Sequence, residues 1–519
     1  MESNGNATTS ERAIKDTGRL FGSQLFVGLS AIVFSAWLNR LLSTEDMALW
    51  PICLGLAGFI GAFASGGLGD TFVRVVPALL ANGKDNEARA LIRTGVAVNL
   101  CAATLIALLL YWFAAPAAAL LLHDATKVAL VRALIFAALF TALRERLSWV
   151  LQSLQMFGKL AFLTVFIDTP RSPLMVALYF MYGRDVRGVI LALTIIPFVA
   201  CVLIAAWMSR YLVGAGGLYP LGRLLKLSLP FYGVSVVGFA CNQMGYLVIG
   251  AVAAPGVLAS YFVADSVAGY LRLLNGSAIG AVTPKLAERG AQDPSGIGRV
   301  FTKCTRYLFL GLLPVHVGVA VLAAPMMGLY GGSKYADGGY ILVALCAAAF
   351  LEAVAGLHRI NIQVFANPWR LFGLNGVYAA TYLGALAALV YPFAAAGACA
   401  ARVVTASVQT VVSARMLRGV VPVRYDGRAL LQSIPTGAAV GLCAGAAGLL
   451  PHSYVAAVIA GMAAGGAAWV LLVVRRLEIV DIDLLVQLMP KRLINGAARE
   501  RLAARLYIVF ARPARSMPN

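Results

Sequence analysis

Runs of roughly twenty apolar residues recur along the whole chain, and no other feature narrows the possible folds as much. A run of that length crosses a bilayer as a helix, because hydrocarbon offers no partner to a free backbone N–H or C=O. Of the 519 residues, 61% are hydrophobic and 12% charged, against about 25% charged in a soluble domain. The chain therefore reads as an all-α polytopic membrane protein. Hydropathy places about fourteen spans. The first six lie near 20–42, 48–69, 95–114, 128–150, 160–181 and 187–209. The next six lie near 225–252, 257–282, 302–323, 336–357, 370–391 and 395–416, and a final pair near 429–450 and 454–474. The first run is too long for a signal-peptide core and is read as a retained span.

The chain repeats its own punctuation. Thr44, Ala48 and Trp50 are answered by Pro255, Ala259 and Tyr261. Pro77, Leu79 and Gly83 are answered by Pro284, Leu286 and Gly290, and Ala114-Ala115-Pro116 by Ala323-Ala324-Pro325. The offsets are about 211, 207 and 209 residues, and near-constant offsets in order mark an internal duplication. Two pseudo-symmetric six-helix bundles plus a C-terminal helix pair account for the expected spans. The expected parts are a cytoplasmic N-terminus (1–19), an N-terminal lobe (20–212), a C-terminal lobe (213–418), the added pair (419–474) and a basic cytoplasmic tail (475–519). Six spans is an even number, so both repeats insert the same way up, related by an axis along the membrane normal.

Charge tests that topology. With both termini in the cytoplasm, about 33 of the 42 Lys and Arg fall on the inner side and about 6 outside, as the positive-inside rule requires. The outer or boundary set is Arg40, Lys127, Arg132, Arg184, Arg187 and Lys334. The net charge of +20 is thus spread over short inner loops and the tail, which suits an anionic lipid surface and not nucleic acid. No outer loop exceeds about a dozen residues, so there is no room for the catalytic loop a membrane glycosyltransferase or polymerase needs. The eight cysteines form no Cys-x-x-Cys pair, and the four histidines no metal-binding spacing, so no metal or cofactor is expected. Gly66-Gly67-Leu68-Gly69 lacks the preceding strand and following Lys-Ser/Thr of a phosphate loop and reads as close helix packing.

Charges within spans are costly and mark function by default. Asp168 and Arg171 lie one turn apart in the fifth span, able to pair, with Pro170 and Pro173 breaking that helix. Asp265 and Arg272, seven residues apart, share a face of the eighth span, with Asn275 three residues beyond. Glu352 lies in the tenth span and Arg402 in the twelfth; Asp70 and Arg74 flank the inner end of the second; Arg144, Glu145 and Arg146 lie near the inner end of the fourth. Cations outnumber isolated acids, which suits an anionic ligand such as pyrophosphate, bound by the planar guanidinium fork. The candidate cavity set is Arg171, Arg272, Arg402, Arg74, Arg144, Arg146, Asn242 and Asn275. Asp168, Asp265, Glu352 and Asp70 are the candidates to couple H+ or Na+.

The run Arg40-Leu41-Leu42-Ser43-Thr44-Glu45-Asp46-Met47-Ala48-Leu49-Trp50, then Gly67-Leu68-Gly69-Asp70 and Gly83 to Arg93, with their later echoes, resembles the polysaccharide-export flippases of the multidrug/oligosaccharidyl-lipid/polysaccharide exporter (MOP) superfamily. The resemblance covers the first twelve spans. It implies two six-helix bundles around a cationic cavity that opens alternately to each face, in the bacterial cytoplasmic (inner) membrane. The implied cargo is a polyprenyl-pyrophosphate-linked oligosaccharide for O-antigen-like or exopolysaccharide synthesis, with no covalent chemistry. Implied partners are a polysaccharide polymerase and chain-length proteins. The chain departs from the pattern in the seventh span, where Gly245 and Tyr246 follow Asn242-Gln243 and an acidic residue followed by Arg is common. Two alternatives stay open here: a cation-coupled multidrug antiporter of the same fold, and a membrane glycosyltransferase or polymerase.

Overall fold

The computed structural model describes residues 32–212, 217–280, 297–365, 368–419, 425–449 and 453–474. The N-terminal segment, the basic tail and the Pro284–Gly290 echo lie outside the described residues. Every regular element within them is helical. Among the described residues, ten helices are long and apolar enough to cross a membrane, or eleven when the bent pair Leu221–Leu229 and Phe231–Asn242 is taken as one span.

That number differs from the expected fourteen for physical reasons. Most of the first span lies outside the described residues, leaving a helix over 32–41. Val128–Ser153 is a 26-residue helix that carries Arg132, Arg144, Glu145 and Arg146. Pro368–Arg418 runs as one helical stretch of 51 residues, about 76 Å if straight and more than twice the hydrocarbon core. It is not straight. The backbone turns at Ala394 (φ 48°, ψ −122°), two residues after Pro392. A Cβ on Gly397 would lie 1.9 Å from the Leu389 carbonyl oxygen, so the two limbs touch backbone to backbone.

The sequence echo has structural counterparts at two of its three points. Ala114 and Ala323 each open a short helix, Ala114–Leu121 and Ala323–Gly331, directly after a long one. Thr44 and Pro255 each open the helix that follows a short turn. At Thr44 the start is set by Ser43, whose hydroxyl oxygen accepts from the Asp46 N–H at 3.0 Å, a standard N-cap. These four starts lie at one end of the bundle. At the opposite end lies Leu68–Ala81, an amphipathic helix read from hydropathy only as a loop. It buries Leu68, Phe72 and Val76 and exposes Arg74, the one-face spacing of a surface helix. Gly66 and Gly67 (φ 52° and 78°) make the turn into it. A Cβ on Gly67 would lie 2.2 Å from the Ser228 carbonyl oxygen, so this glycine turn brings the two halves together.

Two helices contain π-helical stretches, Leu163–Asp168 and Leu308–Leu312. A π stretch frees a carbonyl for another partner. Trp469 takes Leu310, donating its indole N–H at 3.1 Å, and so ties the C-terminal pair Gly427–Leu449 and Tyr454–Val474 to the Leu313–Val321 helix. Gly437, Gly441 and Gly445 line that seam, each with Val317 or Val321 near where a Cβ would stand, the small-residue packing that membrane helices use.

Candidate functional site

The first half of the chain places Arg144 and Arg171 near one carboxylate, Asp168. Arg144, on Val128–Ser153, forms an ion pair with Asp168 at the end of the π stretch. Asp168 therefore pairs with Arg144, where the spacing predicts Arg171. The physical reason lies in the helix. The i, i+3 rule assumes 3.6 residues per turn, but the turn is widened up to Asp168, where the Thr169 N–H reaches back five residues to Thr164 O at 3.2 Å. Pro170 then supplies no N–H, and the helix restarts at Arg171. Arg171 lies with its guanidinium 5.9 Å from the Trp50 ring centre, and Arg146 lies 5.9 Å from that of Trp149. Neither forms an ion pair among the described residues, and the Nε of each is buried without a hydrogen-bond partner. Gly61 makes room for Arg146: a Cβ there would lie 3.0 Å from its Nη2. Asp70 lies in the field of Arg146.

The second half is charge-balanced. Asp265 and Arg272 share a helix face as the spacing predicts and pair at 2.8 Å. The Tyr246 hydroxyl donates to the other Asp265 oxygen at 2.6 Å. Tyr246 stands where the resembling proteins often carry a charge, and here it completes the shell of a buried carboxylate. Arg402, itself buried, pairs with Glu352 at 3.4 Å. Two arginines thus meet two acids. No sequence signal joined Tyr246 to Asp265, since the two lie on different helices.

Other expected residues lie apart. Arg74 is exposed on Leu68–Ala81. Asn242 is exposed and donates to the Gly238 carbonyl of its own helix at 2.8 Å. Asn275 is buried between helices, donating to Ala349 O at 3.0 Å and meeting His316 Nε2 at 3.3 Å. Among the described residues no group of His, Cys, Asp or Glu is placed to hold a metal ion.

Between the halves lies a cavity of about 400 Å³, lined by residues that include Ser35, Asn39, Trp50, Phe262, Ser266 and Tyr270. Trp50 and Phe262 meet across it with ring centres 5.9 Å apart.

The comparisons with known proteins follow this geometry. Residues 37–338 match the family model described as polysaccharide biosynthesis protein. No curated protein matches the chain. Among solved structures, the lipid II flippase MurJ in an inward closed conformation aligns with a TM-score of 0.70 at 13% identity, covering 90% of this chain and 99% of that one. An inward-facing multidrug resistance MATE family transporter of the MOP superfamily aligns at 0.55 and 16%, covering 76% and 95%. A MOP superfamily transporter from Pyrococcus furiosus aligns at 0.53 and 13%, covering 77% and 93%. These likenesses are of fold. The family match spans more than half of the sequence, so the chain belongs to the polysaccharide biosynthesis protein family, as a multi-pass membrane protein with a fold like that of MurJ and the MATE transporters.

Proposed function

We propose that the chain is a flippase that moves a polyprenyl-pyrophosphate-linked oligosaccharide from the inner to the outer leaflet by alternating access. The observation that carries this reading is Arg146 and Arg171, two half-buried arginines that form no ion pair among the described residues and whose Nε atoms are buried without a hydrogen-bond partner. An anion bound there would satisfy them. Arg272 and Arg402 are already neutralised by Asp265 and Glu352, and in this reading they hold the second lobe together.

A multidrug cation antiporter needs an acid free to take a cation. Asp168, Asp265 and Glu352 are each held by an arginine, which disfavours that reading. The coupling ion, H+ or Na+, would then enter by displacing one of these arginines.

The same reading assigns fourteen spans. The ten apolar helices are joined by the 32–41 helix, Val128–Ser153 and the bent Leu221–Asn242 helix, and Pro368–Arg418 counts twice. The lobes are 20–212 and 213–418, with the pair in 419–474. Both termini lie in the bacterial cytoplasm, so the end bearing Thr44, Ala114 and Ala323 faces outward. The wider coverage by the MurJ structure than by the MATE transporter agrees with an added pair.

The test is a lipid extraction from cells lacking the chain, with polyprenyl-linked sugars resolved by mass spectrometry. A completed repeat unit accumulating on the inner leaflet is the expected result. An unchanged lipid profile would remove the reading.

A further inference from the structure

Where the two halves meet at the inner end, they meet backbone to backbone. Gly66 and Gly67 (φ 52° and 78°) turn the chain from Leu49–Ser65 into Leu68–Ala81, a conformation that glycine adopts without cost. Gly67 lies flat on the helix that begins at Leu221. A Cβ there would stand 2.2 Å from Ser228 O, 2.5 Å from Tyr232 N and 2.8 Å from Phe231 C. These atoms belong to a single turn of helix. They also mark its break, where Leu221–Leu229 and Phe231–Asn242 meet at 52°.

The glycine turn is held rigidly from the first half. Asn99 donates its amide to Ala64 O at 3.3 Å. Ser65 donates to Ala62 O at 3.1 Å and accepts from the Gly67 N–H at 3.4 Å. Thr71 donates to Gly67 O at 3.0 Å. The seam above it is glycine and aromatic. Gly58 faces Gln243 and Gly55 faces Leu247, at 3.0 and 2.7 Å from where a Cβ would stand. The Phe239 ring lies 5.8 Å from that of Phe59 and 6.2 Å from that of Phe63. None of the ion pairs among the described residues joins Leu49–Ser65 to Leu221–Asn242 or Met244–Val252.

We propose that the Gly66–Gly67 turn is the inner latch of the transporter: the inner side is shut when Gly67 seats on Ser228–Tyr232 and open when it lifts away. The inference rests on the flippase reading, in which cargo enters from the inner leaflet, and adds how that side is sealed. A seam with no ion pair to break parts and re-forms without reorganising long side chains. It closes only when the two backbones approach to less than the width of a methyl group. A side chain at position 67 would meet backbone atoms, which no rotamer change moves aside. It would therefore penalise the shut state and leave the open state untouched, and population follows that difference.

The experiment uses the full chain in lipid nanodiscs, with nitroxide labels at Asn86→Cys and Gln363→Cys. Both positions are exposed, one in each half at the inner end, and the exposed Cys101 and Cys443 are replaced by Ser. Distances between the labels are read by pulsed electron paramagnetic resonance. Gly67→Ala is expected to raise the longer-distance population at least about fivefold. Gly67→Asn should do the same, since Asn carries the same Cβ but tolerates positive φ. Gly66→Ala is the control. It puts a side chain at positive φ too, but nothing lies within 4 Å of its Cβ position, so its distances should match the wild type.

An equal shift in Gly66→Ala would assign the effect to backbone strain and overturn the latch. Unchanged distances in both Gly67 variants would overturn it as well, and so would failure of both to fold, which would make Gly67 a packing residue of a seam that does not part. None of these results touches the flippase reading, which the lipid extraction tests. If cells lacking the chain show an unchanged lipid profile, that reading fails and takes the latch with it.

Discussion

At the scale of single residues, the arginines divide by what already neutralises them. Arg171→Ala and Arg146→Ala remove unpaired guanidinium groups, so export should fall at least about tenfold, with the amount of folded protein unchanged. The check is surface polysaccharide in a complemented deletion strain, alongside fluorescence size-exclusion of the variants. Arg272→Ala should behave differently. It strips Asp265 of its partner, and breaking a buried pair costs about 3–5 kcal/mol. The expected readout is a lower thermal midpoint in detergent, partly restored by Asp265→Asn in the same chain. An equal export defect with wild-type stability in Arg272→Ala would instead place Arg272 at the cargo. The sequence made half of this legible. Asp265 and Arg272 lie in a regular helix, so a seven-residue spacing puts them on one face. Asp168 and Arg171 straddle the end of a π stretch, and no periodicity rule written for 3.6 residues per turn survives that change. The orphaned state of Arg146 and Arg171 depends on packing, which composition does not carry.

At the scale of elements, hydropathy marks the apolar runs but not how the helices end. Pro368–Arg418 is the clearest case. The sequence puts a break between 391 and 395 from length alone, and the structure supplies the device: a left-handed Ala394 and a Gly397 against Leu389. Gly397→Ala would place a Cβ 1.9 Å from a backbone oxygen, a contact no side-chain rotation relieves. The yield of folded protein should drop several-fold, by a destabilisation of the order of 1–3 kcal/mol seen for overpacking. Gly384→Ala is the control on the same stretch, since nothing lies within 4 Å of its Cβ position, and its yield should not change. The comparison is made by quantifying monodisperse protein after extraction. The Leu68–Ala81 helix was illegible for a different reason. Its charges, Asp70 and Arg74, lower the mean hydropathy, and only the one-sided placement of Leu68, Phe72 and Val76 marks it as a helix lying on the bundle.

At the scale of the whole molecule, the end assigned to the outside is closed by a reciprocal cap. A helix C-terminus leaves its last carbonyls unpaired and carries partial negative charge. The helix over 32–41 ends at such a site, and Lys334 donates to the carbonyls of Leu42 and, at 3.5 Å, Arg40. Ala323–Gly331 ends at another, and Arg40 donates to its Leu329 carbonyl at 2.6 Å, with Asn39 on Tyr330. Each terminus is thus capped by a side chain from the other half of the chain. From sequence, Arg40 and Lys334 are only two of the few basic residues that the positive-inside count puts at the outer boundary; their caps give a reason for that placement. Alternating access requires these bonds to break before the outer side opens. Replacing both residues with Ala should therefore shift the population toward the outward-open state. The measurement is labelling of a Ser266→Cys reporter by a membrane-impermeant maleimide in intact cells, with the exposed Cys101 and Cys443 replaced. Labelling should rise several-fold in the double variant, since two charge-assisted hydrogen bonds are worth about 1.5–3 kcal/mol each at most and population follows that difference. Equal labelling with and without the caps would mean that packing such as the contact of Trp50 with Phe262, ring centres 5.9 Å apart, holds the outer side shut alone.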